Sequence, residues 1–136
     1  MGKKPSGLPR PTDAELEILT VLWSRGPSTV REVHEAITRR RPAQYTTTLK
    51  MLQIMDGKGL VRRDQKQRAH IYEASQPRER TQRQLAGDLL QRAFNGSAQS
   101  LILGALTARK TSREELAELR KCLDEYEQGH YGKEKP

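Results

Sequence analysis

Three adjacent hydroxyls and a train of cations are the residues of this chain whose types and spacing suit chemistry. Tyr45, Thr46, Thr47 and Thr48 open the run YTTTLKMLQIMDGKG, with Lys50 one helical turn beyond Thr46. Arg39, Arg40 and Arg41 precede that run, and Arg62, Arg63, Lys66 and Arg68 follow it. A threonine hydroxyl donates and accepts hydrogen bonds on a short stem, while an ammonium or guanidinium neutralises an anionic oxygen. That combination fits a polyanion with a readable edge, which is what nucleic acid offers. From Arg39 to Arg68 stand nine basic residues and two acids, so this segment holds +7 of the chain's net charge of +8. A solvated charged face accounts for any one of these cations; their concentration beside a hydroxyl cluster argues for a binding surface.

Other chemistries find little support. His34, His70 and His130 are far apart and lack metal-ligand spacing, so no metal is expected. A single cysteine, Cys122, excludes an internal disulfide and fits a reducing compartment. Phosphate-cradling glycine loops, nucleophile elbows and zinc-peptidase motifs are missing from the sequence, so neither an enzyme nor a bound small-molecule cofactor is expected. No apolar run is long enough for a membrane span, and MGKKPSGLPRP lacks the apolar core of a signal peptide. Gly2 with Ser6 matches a short myristoylation pattern of no weight by itself. The expectation is a cytoplasmic protein that does not bind or span a membrane itself.

The elements that must position the hydroxyls and cations follow from capping signals and periodicity. Residues 1–11, rich in Gly, Lys and Pro, read as a flexible basic arm. Thr12 and Glu15 form a capping box that opens a first helix, with Leu16, Leu19, Leu22 and Trp23 on one face and Gly26-Pro27 ending it. Thr29 and Glu32 repeat the signal for a second helix carrying Val30, Val33 and Ile37. A third helix starts near Gln44 to Thr46, turns Thr48, Leu49, Leu52 and Met55 inward, and leaves Thr46, Thr47, Lys50, Met51, Gln53 and Ile54 on or near the outside. LVRRD and AHIYEA then read as the strands of a basic hairpin. Three helices followed by a hairpin is the order of a winged helix-turn-helix, expected over 12–76. In that fold the third helix enters the major groove, with Thr46, Thr47 and Lys50 toward base edges or phosphates, while Arg62, Arg63, Lys66 and Arg68 of the hairpin address the backbone or minor groove.

The second half, 77–128, reads as three amphipathic helices, the last capped by Ser112 and Glu115, before a flexible tail over 129–136. Their apolar stripes, with Leu85, Leu89, Leu101, Ile102, Leu106, Leu116, Leu119 and Leu123 as the candidate contacts, are too thin for an independent core and need another surface. A second copy of the chain is the expected cover, making a homodimer; folding back onto the first half is the alternative. The fold class is therefore mainly α with a small β wing. A rival for the basic face is a protein-interaction module that docks an acidic partner.

Taken in order, PTDAELEILTVLWSRGPSTVREVHEAI, YTTTLKMLQIMDGKGLVRR, AHIYEA, FNGSAQSLILGAL and SREELAELRKCLDE resemble the penicillinase-repressor (BlaI/MecI/CopY) family of bacterial transcription regulators over about residues 11–127. The resemblance implies a homodimer on an inverted-repeat operator, with the winged helix on double-stranded DNA and the C-terminal helices joining the copies. It further implies relief of repression when a membrane sensor metallopeptidase leads to a cut in the C-terminal half. The bond that matches the relatives' Asn-Phe cleavage site is Gly104-Ala105. The copper-responsive branch carries paired C-terminal cysteines that this chain lacks. Many members of the family that this chain resembles carry threonines at the positions of Lys50 and Met51 and arginines at those of Gln53 and Ile54, which implies a different operator sequence.

Overall fold

The computed structural model describes residues 10–66, 68 and 70–129. The arm expected over 1–11, apart from Arg10 and Pro11, lies outside the described residues, as do His130 and the rest of the expected tail beyond Gly129. Helix α1 spans Asp13–Arg25, strand β1 Ser28–Thr29, α2 Val30–Thr38, α3 Tyr45–Lys58, β2 Val61–Asp64, β3 Ile71–Ala74, α4 Arg78–Ala93, α5 Ala98–Ala108 and α6 Arg113–Glu127. The chain divides into two compact units between Asp88 and Leu89, inside α4.

Local chemistry explains the starts of α1 and α2 and the end of α3. Thr12 Oγ1 accepts the Glu15 N–H at 3.2 Å while the Glu15 carboxylate accepts the Thr12 N–H at 2.9 Å, and Thr29 with Glu32 repeats the arrangement at the head of α2. These reciprocal bonds satisfy donors that a helix start leaves free. Gly59 closes α3 at φ +84°, a left-handed conformation that costs glycine nothing.

The core forms where one stripe of each helix meets the sheet. Ile18, Leu19, Val21 and Leu22 of α1, Val30, Val33 and Ile37 of α2, and Leu52 and Met55 of α3 are buried with Val61 and Tyr72. The inward face of α1 thus differs from the expected one: Ile18 and Val21 are buried, whereas Leu16 and Trp23 are only half-buried. The reason for Trp23 is polar, since its indole N–H donates to the Gln76 carbonyl at 2.9 Å and its ring lies 5.9 Å from the Arg78 guanidinium. The sheet has three strands in the order β1-β3-β2, all antiparallel, with Ser28 opposite Tyr72 and Val61 opposite Ala74. β1 adds a strand to the hairpin.

In the second unit Ser97 and Ser112 cap α5 and α6 through their hydroxyls, which accept the N–H groups of Ser100 and Glu115. Glu115 does not complete the expected box. Its carboxylate instead accepts from Arg109 at 2.9 Å. Neither α5 nor α6 contains a buried residue. Ile102, Leu106, Leu116, Leu119, Leu123 and Tyr126 line an open apolar hollow of about 500 Å³ between them.

Candidate nucleic-acid interface

α3 carries the candidate base-reading residues, and its burial pattern sorts them. Thr48, Leu52 and Met55 are buried at spacings of four and three, which fixes the inward stripe. Thr46, Lys50, Gln53 and Gly57, spaced four, three and four, lie opposite and are exposed. Thr47 and Ile54 are exposed on one shoulder of that stripe, and Met51 on the same shoulder is half-buried against the core. Thr47 and Met51 line a hollow of about 260 Å³ shared with Ala14, Ile18 and Ile37. Tyr45, on the other shoulder, is 41% exposed and meets His34 of α2 edge to face, with ring centroids 5.4 Å apart.

The cations separate into paired and unpaired sets. Arg41 grips Glu17 of α1 through Nε and Nη2, the shortest contact being 2.6 Å. The Arg41 guanidinium and its charge hold the Glu17 carboxyl below the ordinary value of 4.5, with Arg40 adding to the same field. Arg62 lies 3.3 Å from Glu73 across the hairpin. Arg63 is half-buried, and its Nε is shielded without a hydrogen-bond partner among the described residues. By contrast Arg39, Lys50, Lys66 and Arg68 are exposed and make no salt bridge among the described residues. The Asp64 carboxylate accepts the Lys66 backbone N–H at 2.9 Å, which shapes the turn that presents Lys66.

One ion pair fixes α3 from its far end. Lys58 Nζ lies 2.7 Å from Glu15 Oε2, and Glu15 is 2% exposed. Burial pushes the Glu15 carboxyl up, but the Lys58 hydrogen bond, the Thr12 N–H, the Lys58 charge and the Thr12 hydroxyl together bring it below 4.5. Sequence spacing marks Glu15 only as a capping residue, because a partner 43 positions away leaves no local signal. His34 is missed for a similar reason: its neighbours Tyr45 and Thr48 come from the next helix.

The candidate dimer residues fall in both units. Leu85 belongs to the first, while Leu89, Leu101, Ile102, Leu106, Leu116, Leu119 and Leu123 belong to the second. Gly104 and Ala105 lie within α5, with the Gly104 backbone close to the Phe94 ring. No group of three or more metal-ligating side chains is found among the described residues, and no helix among them is long and apolar enough to cross a membrane.

Comparison with known proteins gives consistent matches. The sequence pattern of the penicillinase repressor family matches residues 11–125. The chain is 36% identical over 124 residues to the transcriptional regulator BlaI of Mycobacterium tuberculosis, covering 90% of this chain and 89% of that one. It is 26% identical over 119 residues to the penicillinase repressor of Bacillus licheniformis, covering 88% and 93% respectively. Among solved structures, monomeric Bacillus licheniformis BlaI in complex with the blaP half-operator matches at 23% identity and a TM-score of 0.48, over 54% of this chain and 89% of that one.

Proposed function

The chain belongs to the penicillinase repressor family, and from that premise we propose that it is a homodimeric transcriptional repressor of an inverted-repeat operator in double-stranded DNA. The observation that carries the reading is the exposed stripe of Thr46, Lys50 and Gln53 on α3, accompanied on the wing by Lys66 and Arg68, exposed and without a salt bridge among the described residues. Hydroxyl, amide and ammonium groups on one helix face match the donors and acceptors of a major groove. Lys66, Arg68 and Arg39 are suited to phosphates, which give affinity and orientation without sequence choice.

Dimerisation rests on the second unit. Ile102, Leu119, Leu123 and Tyr126 are large apolar side chains left 46%, 37%, 58% and 64% exposed. A face of that kind is costly in water and is suited to a copy of itself related by a two-fold axis. That axis would also set two copies of α3 on two half-sites about one helical turn apart. Such a protein works where the DNA is, in the cytoplasm of a bacterium. Relief by proteolysis, with a membrane sensor metallopeptidase upstream, is a further branch of the proposal. A cut at Gly104-Ala105 requires α5 to unwind locally, since a protease needs an extended strand.

Selection of bound sequences from a random duplex pool tests the central reading. The expected outcome is enrichment of an inverted repeat. Recovery of no common sequence, with tight retention of an acidic protein instead, would favour the protein-docking alternative.

A further inference from the structure

The start of α3 is held differently from the other capped helix starts. Thr12, Thr29, Ser97 and Ser112 each cap a helix with a hydroxyl that accepts a backbone N–H, but Gln44, at the head of α3, makes no side-chain cap bond. On one shoulder of this first turn, Thr47 borders the hollow shared with α1. The opposite shoulder is where α2 reaches it. There the His34 ring meets Tyr45 at an interplanar angle of 81°, and its Nδ1 lies 3.2 Å from the Thr48 hydroxyl. Thr48 is 3% exposed, and His34 Nδ1 is the one side-chain partner its hydroxyl has among the described residues.

We propose that His34 is a positioning residue for operator recognition: by holding the Thr48 hydroxyl and the Tyr45 ring together, it sets the rotation of the first turn of α3. Rotation is what matters at that point. Thr46 and Lys50 share the outward stripe with the inward Thr48 between them, so turning the helix about its axis moves both away from the base edges they address. Phosphate contacts made by the wing do not depend on that rotation. His34 therefore acts on the choice between sequences more than on binding to DNA in general. This inference rests on the repressor reading.

The test uses the full chain, a duplex carrying the selected inverted repeat and a scrambled duplex of the same length and composition, with binding followed by fluorescence anisotropy. The variants are His34→Phe, which keeps a ring beside Tyr45, His34→Asn, whose amide reaches about as far as Nδ1, and Thr48→Val, which removes the hydroxyl at nearly constant shape. Expected is a loss of roughly five- to tenfold in the ratio of selected to scrambled affinity for His34→Phe and for Thr48→Val. Scrambled-duplex affinity should change by less than about twofold, because it reports the phosphate contacts alone. The double variant should be no worse than either single one, and His34→Asn should recover part of the ratio. Unchanged discrimination in both single variants, full additivity in the double one, or an equal fall on both duplexes would overturn the proposal. If the wild-type chain itself selects no duplex, the repressor reading fails. The positioning role is then decided by a double-mutant cycle of His34 and Thr48 in thermal unfolding, where additive losses reject it.

Discussion

Which cations can reach DNA is decided residue by residue through the carboxylates beside them. Arg62 and Glu73 form an exposed pair at 3.3 Å, the kind worth about 0–1 kcal/mol, so opening it costs the fold little. Glu73→Gln should leave thermal stability within about 1 kcal/mol and release Arg62 to a phosphate, steepening the slope of log affinity against log salt by about 0.9. A slope equal to or shallower than that of the wild type would show that Arg62 gains no phosphate. Glu15 behaves oppositely because it is buried and doubly bonded, to Thr12 and to Lys58. Its folded carboxyl titrates below the unfolded value, so the stability it contributes is present above about pH 4.5 and is lost as the pH falls through the folded value. Glu15→Gln should therefore destabilise by about 1–3 kcal/mol at pH 7. In denaturant titrations across pH, its gap from the wild type should close below pH 4.5. A gap that stayed constant into acid would remove the charge from the explanation. The capping role of Glu15 is visible in the spacing TDAE, but the Lys58 bond depends on how α1 crosses α3, which no local pattern records.

Helix starts and stops were the most legible elements, because their signals lie within four residues of one another. Thr12, Thr29 and Ser112 cap where their sequence context indicates, and Gly26 ends α1 ahead of Pro27 as expected. Thr29→Ala should cost about 1 kcal/mol by removing the acceptor for the Glu32 N–H, measurable as a lower midpoint in chemical denaturation. An unchanged midpoint would mean that the α2 cap is redundant with its packing. What stayed illegible was set by tertiary placement. β1 is only the pair Ser28–Thr29, too short for any alternation, and exists because β3 offers it a free edge. Ile18 and Val21 are buried in place of Leu16 and Trp23 because α1 is contacted by α2 on one side and β3 on another, widening the inward stripe. On α3 the helical period already turned Thr48 inward with Leu52 and Met55, and burial agrees. What the period did not give is the half-burial of Met51, which packs against the core on the shoulder below Thr47.

As a whole, the proposed repressor has a charged unit to address DNA and an apolar unit to recruit a second copy. Leu123 is 58% exposed on α6 and lines the apolar hollow, so a charge there should cost little in the monomer and much in a dimer. Leu123→Asp should yield a folded monomer by sedimentation, with helical content retained and operator affinity reduced by at least about tenfold through loss of the paired half-site. A dimer surviving that change would move the contact elsewhere. The most direct measurement of the central claim is the mass of the complex by sedimentation on two duplexes, one carrying the selected inverted repeat and one carrying a single half-site. Two chains are expected on the full repeat, bound cooperatively and with an affinity that falls steeply with salt. A single chain on both duplexes, with equal affinity and a flat salt dependence, would contradict it.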